Sequence, residues 1–384
     1  MKLFSTKFIS PLKKNIIIFD EVQTELLKKI IKTKYSSIVI KRRPPEYYIS
    51  FNLIKKFILF LSNFSFHEVF NSSDGIVKGF FAELRFIYYK SLVELINPLA
   101  VITFIDNNFI FNQLSRRTNK IPFIAIQNGL RLSHENAINY HVQHLFSLGH
   151  NETKYFKKIG YKVENFYPCG SLIGSKFLKK SYDFKKKYDV LIVSSWRGNI
   201  GYPIDQVDSM NSMNVLDTLI SKYIKSNNIK VAVALRNERD GDNWFVPEIG
   251  KNEEEYFKEI YGNNVDLIDV DFKSRNIYGL INKSTLIISG FSTTVLLEAY
   301  GFQKKIMYYN FTKKDIYHSI FDSSIVSTNS DYFSFSKELD ELLKISQTQY
   351  IKNHMSNMKY YMSFPKDMEY KDYVLSKIDE IIKN

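Results

Sequence analysis

Short apolar runs alternate with helical patterns along most of this 384-residue chain. An apolar run that ends in a polar loop is typical of a strand buried on both faces, and strands separated by helices favour a parallel sheet. The alternation therefore predicts an α/β fold built from doubly wound sheets. The runs interpreted as strands are 15–19, 38–40, 100–105, 122–126, 144–148, 166–167, 189–193, 230–235, 265–270, 286–288 and 304–309.

The chain is expected to divide near residue 180. A polar and basic stretch at 179–187 precedes a new apolar run, and the second half then repeats the alternation of the first. We expect two Rossmann-like domains, residues 1–180 and 188–335, with their strand ends facing a shared cleft. Residues 336–384 have helical patterns interrupted by a proline, and one arrangement has these helices packing back on the first domain.

Polar loops follow the apolar strands in both halves. Ligands of open α/β sheets bind at the carboxyl ends of the strands, so these loops predict a cleft for a polar, charged ligand. The loops are 106–107, 127–131, 194–199, 236–239 and 290–294.

The loops of the first half contain the candidate catalytic and sugar-binding side chains. Asp106 directly follows a buried strand, where a carboxylate is costly unless it is paired or used, so catalysis and helix capping both remain open. Gln127 and Asn128 precede a glycine, which indicates either a simple turn or amides that hold sugar hydroxyls. Arg131 is a candidate to bind a carboxylate or phosphate, and Glu135 is a second acid/base candidate.

The segment SGFSTTVLLEAYG at 289–301 has an unusual start for a helix. Gly290 allows a sharp turn after a strand, and one hydroxyl of Ser292, Thr293 or Thr294 would be enough to cap the helix that follows. Three hydroxyls at a helix N-terminus also suit an anion, because the first N–H groups and the helix dipole favour negative charge. A well-capped helix and a phosphate pocket are both consistent with the segment.

Charge and composition limit the expected partners. The formal net charge is +13 and the pI is about 9.3, which indicate an anionic partner. The lysines are scattered in short clusters and no zinc-finger, RNP-like or helix-turn-helix motif is present, so a nucleic-acid partner is not expected and a membrane leaflet suits the clusters better. The apolar stretch FILFL at 57–61 is too short to span a bilayer and predicts a helix that faces the core or lies on a membrane.

The cysteine content and the start of the chain favour a cytoplasmic protein. Cys169 is the one cysteine of the chain, so there is no internal disulfide and no cysteine zinc site. The first residues, MKLFSTKFISPLKK, have no apolar core of signal-peptide length.

Three stretches resemble bacterial glycosyltransferases of the two-Rossmann-domain type, GT-B, and in particular the surface-carbohydrate and capsule-synthesis transferases. They are TFIDNNFIFNQLSRRTNKIPFIAIQNGLR at 103–131, HLFSLGHNETKYFKKIGY at 144–161 and ISGFSTTVLLEAYGFQKKIMYY at 288–309. Together they fall in both halves of the chain. The relatives of this group include transferases of Kdo, sialic acid and polyol phosphates.

The resemblance implies a role for each candidate residue. In such enzymes the Ser/Thr loop binds the donor phosphate and a following glutamate binds the ribose, which gives these roles to the three hydroxyls at 292–294 and to Glu298. Arg236 would neutralise phosphate charge, and Ser194 and Ser195, in the preceding loop, join it as donor-binding residues. The acceptor and the catalytic groups would lie in the first half.

A metal site is not expected. Four of the seven histidines lie between 134 and 150, and His141 and His144 are three residues apart, but no carboxylate or cysteine stands at matching spacing. Asp-x-Asp patterns at 240–242 and 269–271 would suit the metal-dependent GT-A fold, yet both lie deep in the second half. There is no Walker loop, no GxGxxG and no nucleophile elbow.

The resulting hypothesis is a metal-independent transferase that uses a nucleotide sugar, with CMP-Kdo or another CMP-activated acidic sugar as donor and a surface polysaccharide or lipid-linked glycan as acceptor. It needs no cofactor and would work in the cytoplasm or on the inner face of the cytoplasmic membrane. A CDP-polyol phosphotransferase, a sugar-nucleotide epimerase of the same fold and a non-catalytic scaffold for nucleotide or membrane are the alternatives.

Overall fold

Two parallel six-stranded sheets form the centre of the protein, in a computed structural model that describes residues 5–42, 45–70, 75–131, 140–178, 185–196, 203–236, 247–270, 276–318 and 320–384. The strands of these ranges are β1 (Ser5–Lys7), β2 (Ile16–Phe19), β3 (Ser37–Ile40), β4 (Glu46–Tyr48), β5 (Ala100–Thr103), β6 (Phe123–Ile126), β7 (His141–Ser147), β8 (Lys162–Pro168), β9 (Tyr188–Val193), β10 (Val231–Leu235), β11 (Val265–Asp269), β12 (Ser284–Ser289), β13 (Lys305–Tyr309) and β14 (Val326–Ser327).

Helices connect the strands and cover the sheets. They are α1 (Thr24–Ile31), α2 (Phe51–Leu61), α3 (Phe66–Phe70), α4 (Ile76–Ile96), α5 (Phe109–Arg117), α6 (Asn151–Lys158), α7 (Ser175–Leu178), α8 (Pro203–Ser226), α9 (Pro247–Tyr261), α10 (Ile277–Lys283), α11 (Thr294–Gly301), α12 (Asp315–His318), α13 (Tyr332–Lys344), α14 (Gln347–Tyr361) and α15 (Tyr370–Lys383). None of the helices in the described ranges is both long and apolar enough to cross a bilayer.

The strand orders are those of doubly wound sheets. The first sheet has the order β3-β2-β5-β6-β7-β8 and the second has the order β11-β10-β9-β12-β13-β14. In each sheet the chain starts on a central strand, winds outward to one edge and then returns to the other side, which creates a crevice at the point of reversal. The predicted α/β class with two doubly wound sheets is confirmed.

The central strands of the first sheet form where the sequence predicted them because their residues are apolar on both faces. All four residues of β2, β5 and β6 are buried, as expected for parallel strands covered by helices on both sides. Each of the eleven predicted strands is present, with ends that differ by a few residues.

Several elements of the fold were not predicted: the small parallel ribbon formed by β1 and β4, the short elements α3, α7, α12 and β14, and helix α9. The buried stripe of α9 consists of Glu253, Phe257 and Tyr261, spaced four residues apart. Because the stripe begins with a carboxylate and most of its neighbours are charged, the segment lacks the apolar periodicity by which helices are recognised.

The C-terminal helices contact both halves of the protein. The buried amine of Lys305 in β13 donates to the carbonyls of Leu342 and Ile345, at 2.7 and 2.9 Å, and so satisfies the C-terminal end of α13. Tyr35, after α1, donates to Asp379 of α15 at 2.8 Å. The predicted division at residue 336 falls inside α13.

The end of α14 packs against the loop between β7 and α6 at backbone distance. The His150 N–H donates to the Tyr360 carbonyl at 2.8 Å, and the Ser363 N–H donates to the Leu148 carbonyl at 2.9 Å. A Cβ atom at Gly149 would overlap the carbonyl oxygens of Tyr360 and Tyr361. Only a glycine permits this approach without movement of the backbone.

We predict that Gly149→Ala lowers the free energy of unfolding by about 2 kcal/mol or more, because backbone atoms cannot give way as side chains do. Gly279→Ala in α10 is the matched control, since nothing lies within 4 Å of the added methyl group and alanine favours a helix by up to about 1 kcal/mol. Urea unfolding of both variants checks this; equal stabilities would contradict the packing of α14 on the first half.

Candidate functional site

A cavity of about 450 Å³ lies at the carboxyl ends of strands from both sheets. The second sheet contributes residues that follow β9 and β12, the strands on either side of its reversal point, and residues that follow the neighbouring β10. The first sheet contributes Asn128 and Leu130 after β6. Eight of the twelve predicted site residues line it: Asn128, Ser194, Ser195, Arg236, Ser292, Thr293, Thr294 and Glu298. The cavity is therefore at the place where an open α/β sheet binds its ligands.

The turn before α11 is fixed by close packing. A Cβ atom at Gly290 would lie 3.1 Å from the Met213 Cα atom, so β12 and the turn after it lie directly against α8. The turn delivers three hydroxyl residues to the cavity wall. This close approach is the local reason for the glycine.

The three hydroxyls have three different environments. Thr293 is the N-cap residue of α11, but its side chain makes no capping hydrogen bond, in contrast to the predicted cap. The Thr294 hydroxyl accepts a hydrogen bond from the Leu130 N–H at 3.1 Å, which joins the second half to the first. Ser292 is buried beside Tyr308, and burial raises the pKa of that phenol. The Thr293 hydroxyl is thus available at the N-terminus of a helix.

Glu298 lies one turn inside α11 and is 4% exposed. One of its carboxylate oxygens accepts a hydrogen bond from the Ser171 hydroxyl, and the other accepts one from the Tyr278 hydroxyl at 2.9 Å. Ser171 follows the last strand of the first sheet, so this carboxylate also joins the two halves.

Arg236 is the cation among the described residues that line the cavity. Its guanidinium donates to the Trp196 carbonyl at 3.3 Å, and its backbone N–H donates to Glu253 at 2.9 Å. The same carboxylate oxygen of Glu253 accepts a hydrogen bond from the Ser194 hydroxyl. The Ser195 hydroxyl is buried and has no hydrogen-bond partner within the described part of the chain.

Glu253 is a residue of the site that sequence reasoning missed. It is fully buried in α9 and holds the loops after β9 and β10 in place. Its position in a run of three glutamates gives it the appearance of a solvent-exposed residue. Nothing in the sequence distinguishes it from Glu254 and Glu255.

Asp106 and Arg131 form a buried ion pair beneath the cavity instead of lining it. Asp106 is 0% exposed, and its two carboxylate oxygens accept hydrogen bonds from Arg131, from the Tyr140 hydroxyl at 2.8 Å and from the Asn128 N–H at 3.1 Å. Burial acts to lower the pKa of the Arg131 guanidinium, but the facing Asp106 carboxylate outweighs it and the pKa is raised. Both side chains are buried and are paired with each other.

Gln127 also lies under the cavity. Its amide nitrogen donates to the Gly129 carbonyl at 3.1 Å, and its amide oxygen accepts from the Leu148 N–H at 3.1 Å, so the amide shapes the turn. Nearby, burial raises the pKa of the Glu152 carboxyl to about 7, against the opposing effects of Gln127 and Arg131. Glu135 lies outside the described residues.

The histidines considered as metal ligands lie apart from the cavity. His141 is 3.3 Å from Glu164, and His144 is 3.2 Å from the Tyr167 hydroxyl, both on the strands β7 and β8. His134 and the Asp240–Asp242 pattern lie outside the described residues. Within the described ranges, no three His, Cys, Asp or Glu side chains are grouped so as to hold a metal ion.

We predict that Asp106→Asn lowers the free energy of unfolding by about 3 kcal/mol, because it leaves the Arg131 guanidinium buried without a counter-charge. Glu25→Gln is the control, since Glu25 has an 81% exposed side chain in a surface ion pair that contributes less than about 1 kcal/mol. Thermal unfolding measures both. A stable Asp106→Asn variant that loses only turnover would instead restore Asp106 as a catalytic base.

No protein-family model and no curated protein matches this sequence. Solved structures do match. A UDP-N-acetylglucosamine 2-epimerase from Rickettsia bellii is 14% identical with a TM-score of 0.54, and the match covers 96% of both chains. The wall teichoic acid polymerase TagF, solved with CDPG, is 12% identical with a TM-score of 0.50, over 96% of this chain and 89% of that one. A glycosyltransferase from Rickettsia africae is 12% identical over 100% of both chains, with a TM-score of 0.47. At these identities the likeness to the epimerase and to TagF shows the fold: the chain has the GT-B architecture of two Rossmann-like domains.

Proposed function

We propose that this protein is a glycosyltransferase that moves a sugar from a nucleotide donor to a surface polysaccharide or a lipid-linked glycan. The observation that carries the proposal is the cavity at the strand ends. It is lined by the N-terminus of α11, which has no side-chain cap, by the Thr293 hydroxyl and by the Arg236 guanidinium. These are the groups that bind a phosphate. A cavity of about 450 Å³ is within the usual range for a small-molecule ligand.

The donor phosphate would bind between the start of α11 and Arg236. Thr293 offers a hydroxyl beside the helix N-terminus, and the dipole of α11 adds positive potential at the same point. Negative charge on the leaving phosphate grows during transfer, so fixed donors at this position stabilise the transition state more than the ground state. The proposal therefore needs no metal ion at the phosphate.

The nucleoside would bind on the side of Glu298. A ribose hydroxyl can donate to this carboxylate in place of the Ser171 or Tyr278 hydroxyl that donates to it now. We propose a CMP-activated acidic sugar, such as CMP-Kdo, as the donor. The protein would act on the inner face of the cytoplasmic membrane.

The acceptor would approach from the first half, where Asn128 and Leu130 reach the cavity wall. Asp106 and Arg131 act in this proposal as positioning residues, because they hold the loop that carries both groups. Among the predicted candidates, Glu135 would be the base that removes the acceptor proton.

We predict that CMP raises the melting temperature of the protein by a few degrees at saturation, in preference to CDP, UDP, GDP and ADP, and equally with EDTA present. A ligand that binds only the folded state must raise its stability. A calorimetric or dye-based thermal shift measures this. No shift with any nucleotide would make the non-catalytic scaffold the better interpretation.

The Thr293→Ala variant assigns the shift to the cavity. Its side chain makes no capping hydrogen bond, so the substitution leaves the fold intact while it removes one phosphate ligand. The triple variant at 292–294 removes all three hydroxyls. Thr218→Ala is the control, an exposed hydroxyl on α8. We expect the CMP shift to shrink in Thr293→Ala and to persist in Thr218→Ala; the same shift in all variants would contradict the cavity.

The main rival is a CDP-polyol phosphotransferase, favoured by the fold shared with TagF at a TM-score of 0.50. An epimerase of the same fold is the next. The mass of the product separates the three activities: we predict an increment of one sugar residue on a glycan acceptor, whereas a polyol phosphotransferase adds a polyol phosphate and an epimerase adds nothing to the acceptor. Mass spectrometry of the acceptor after incubation with each donor decides among them.

A further inference from the structure

Exposed apolar side chains are concentrated on one part of the first half. Of the twenty large hydrophobic residues exposed in the described part of the chain, eleven lie between residues 51 and 81. They are Phe51, Ile54, Ile58, Leu59, Leu61, Phe66, Phe70, Ile76, Val77, Phe80 and Phe81, all on α2, α3 and the start of α4, and they are called here the α2–α4 face. Single exposed apolar residues are ordinary, but a cluster of this size marks an interaction site.

Helix α2 has two apolar stripes and only one is covered. Leu53, Phe57 and Phe60 are buried or half-buried and face the core. The second stripe, spaced by three, four and three residues, is Phe51, Ile54, Ile58 and Leu61, with exposures of 81, 48, 62 and 39%. The outward side of a surface helix is normally polar, and a helix that is apolar all round is buried. The prediction that this helix faces the core therefore accounts for the first stripe. The second stripe is not covered by any of the described residues.

The stripe of α2 continues onto its neighbours. The Phe64 ring, in the loop after α2, lies 5.1 Å from the Phe66 ring of α3 and 5.4 Å from the Phe80 ring of α4. Phe66 and Phe70 are one turn apart and both are 65% exposed. Three helices thus present one continuous aromatic and aliphatic surface.

Among the described residues of these three helices, the exposed charged side chains are positive. Lys55, Lys78 and Arg85 are exposed on α2 and α4. The carboxylates of the described residues in the same segment are neutralised by arginines: Glu68 is paired with Arg116 at 2.7 Å, and the buried Glu83 is paired with Arg117 at 2.8 Å. The face therefore meets its partner as an apolar surface with basic side chains.

We propose that the α2–α4 face docks on an anionic lipid surface. Apolar side chains of interfacial helices enter the boundary between headgroups and acyl chains, and the flanking cations bind acidic headgroups. A second copy of the chain fits less well, because a two-fold interface through this face would set the same cations against each other. The inference rests on the proposed location at the membrane, but it does not depend on the donor cavity.

The test is flotation of the full-length protein, without nucleotide, with vesicles of phosphatidylcholine alone and of phosphatidylcholine with about one third phosphatidylglycerol. We expect the wild-type protein to bind the anionic vesicles at least about tenfold more strongly and to bind them less at high salt. The Ile54→Asp/Ile58→Asp double variant should reduce this binding at least about tenfold, because two apolar groups no longer leave water.

Phe333→Asp is the matched control, an 80% exposed side chain on α13 in the second half, and it should bind vesicles as the wild type does. All three proteins should have the same melting temperature and the same nucleotide shift, which separates a failure of docking from a failure of the donor site. Wild-type protein that binds neither vesicle would overturn the proposal. So would equal binding by the double variant, or a wild-type dimer in sedimentation that Ile54→Asp/Ile58→Asp converts to a monomer without any vesicle binding.

Discussion

The buried ion pair of Asp106 and Arg131 holds together the part of the first sheet that faces the cavity. Asp106 follows β5 and Arg131 follows β6, so the pair joins the ends of two adjacent strands. The hydroxyl of Tyr140, the residue before β7, donates to the same carboxylate. The Asn128 N–H is fixed by the same carboxylate. Buried ionic groups tolerate little displacement once they are paired, because an uncompensated charge in the interior is far more costly than a lost contact. The loop at 127–131 therefore reaches Thr294 with a defined shape.

The second half uses the same arrangement with a different carboxylate. Glu253 lies under the ends of β9 and β10, where it accepts hydrogen bonds from the Ser194 hydroxyl and the Arg236 N–H. In both halves a fully buried acid orients the loops after neighbouring strands. Buried polar networks that are fully satisfied make a local structure rigid. The groups that face the cavity, Arg236 among them, can then be polar and partly solvated without loss of position.

The sequence allowed the sheets to be predicted well, because a strand buried on both faces must be apolar at every residue, as in β2 and β6. It also located most of the cavity wall, since strand ends are followed by polar loops. The sequence could not distinguish residues that line the cavity from residues that hold its loops in place. Asp106 and Asn128 both follow a strand, yet Asp106 is buried below the cavity and Asn128 lines it. The difference depends on how the strand ends are arranged in three dimensions. Glu253 was missed for the same reason, because its burial depends on how α9 packs.

Hydrogen bonds across the cleft affect how strongly a donor can bind. Thr294 accepts from Leu130 and Glu298 accepts from Ser171, so two side chains of the proposed donor site already bind groups of the first half. A ribose hydroxyl that binds Glu298 replaces an existing hydrogen bond, and such an exchange contributes much less than a new bond. The phosphate at Thr293 and Arg236 would then supply most of the affinity. A donor that replaces these hydrogen bonds would remove contacts between the two halves. Donor binding would then be coupled to the relative position of the halves, because a ligand favours the arrangement in which it makes more contacts.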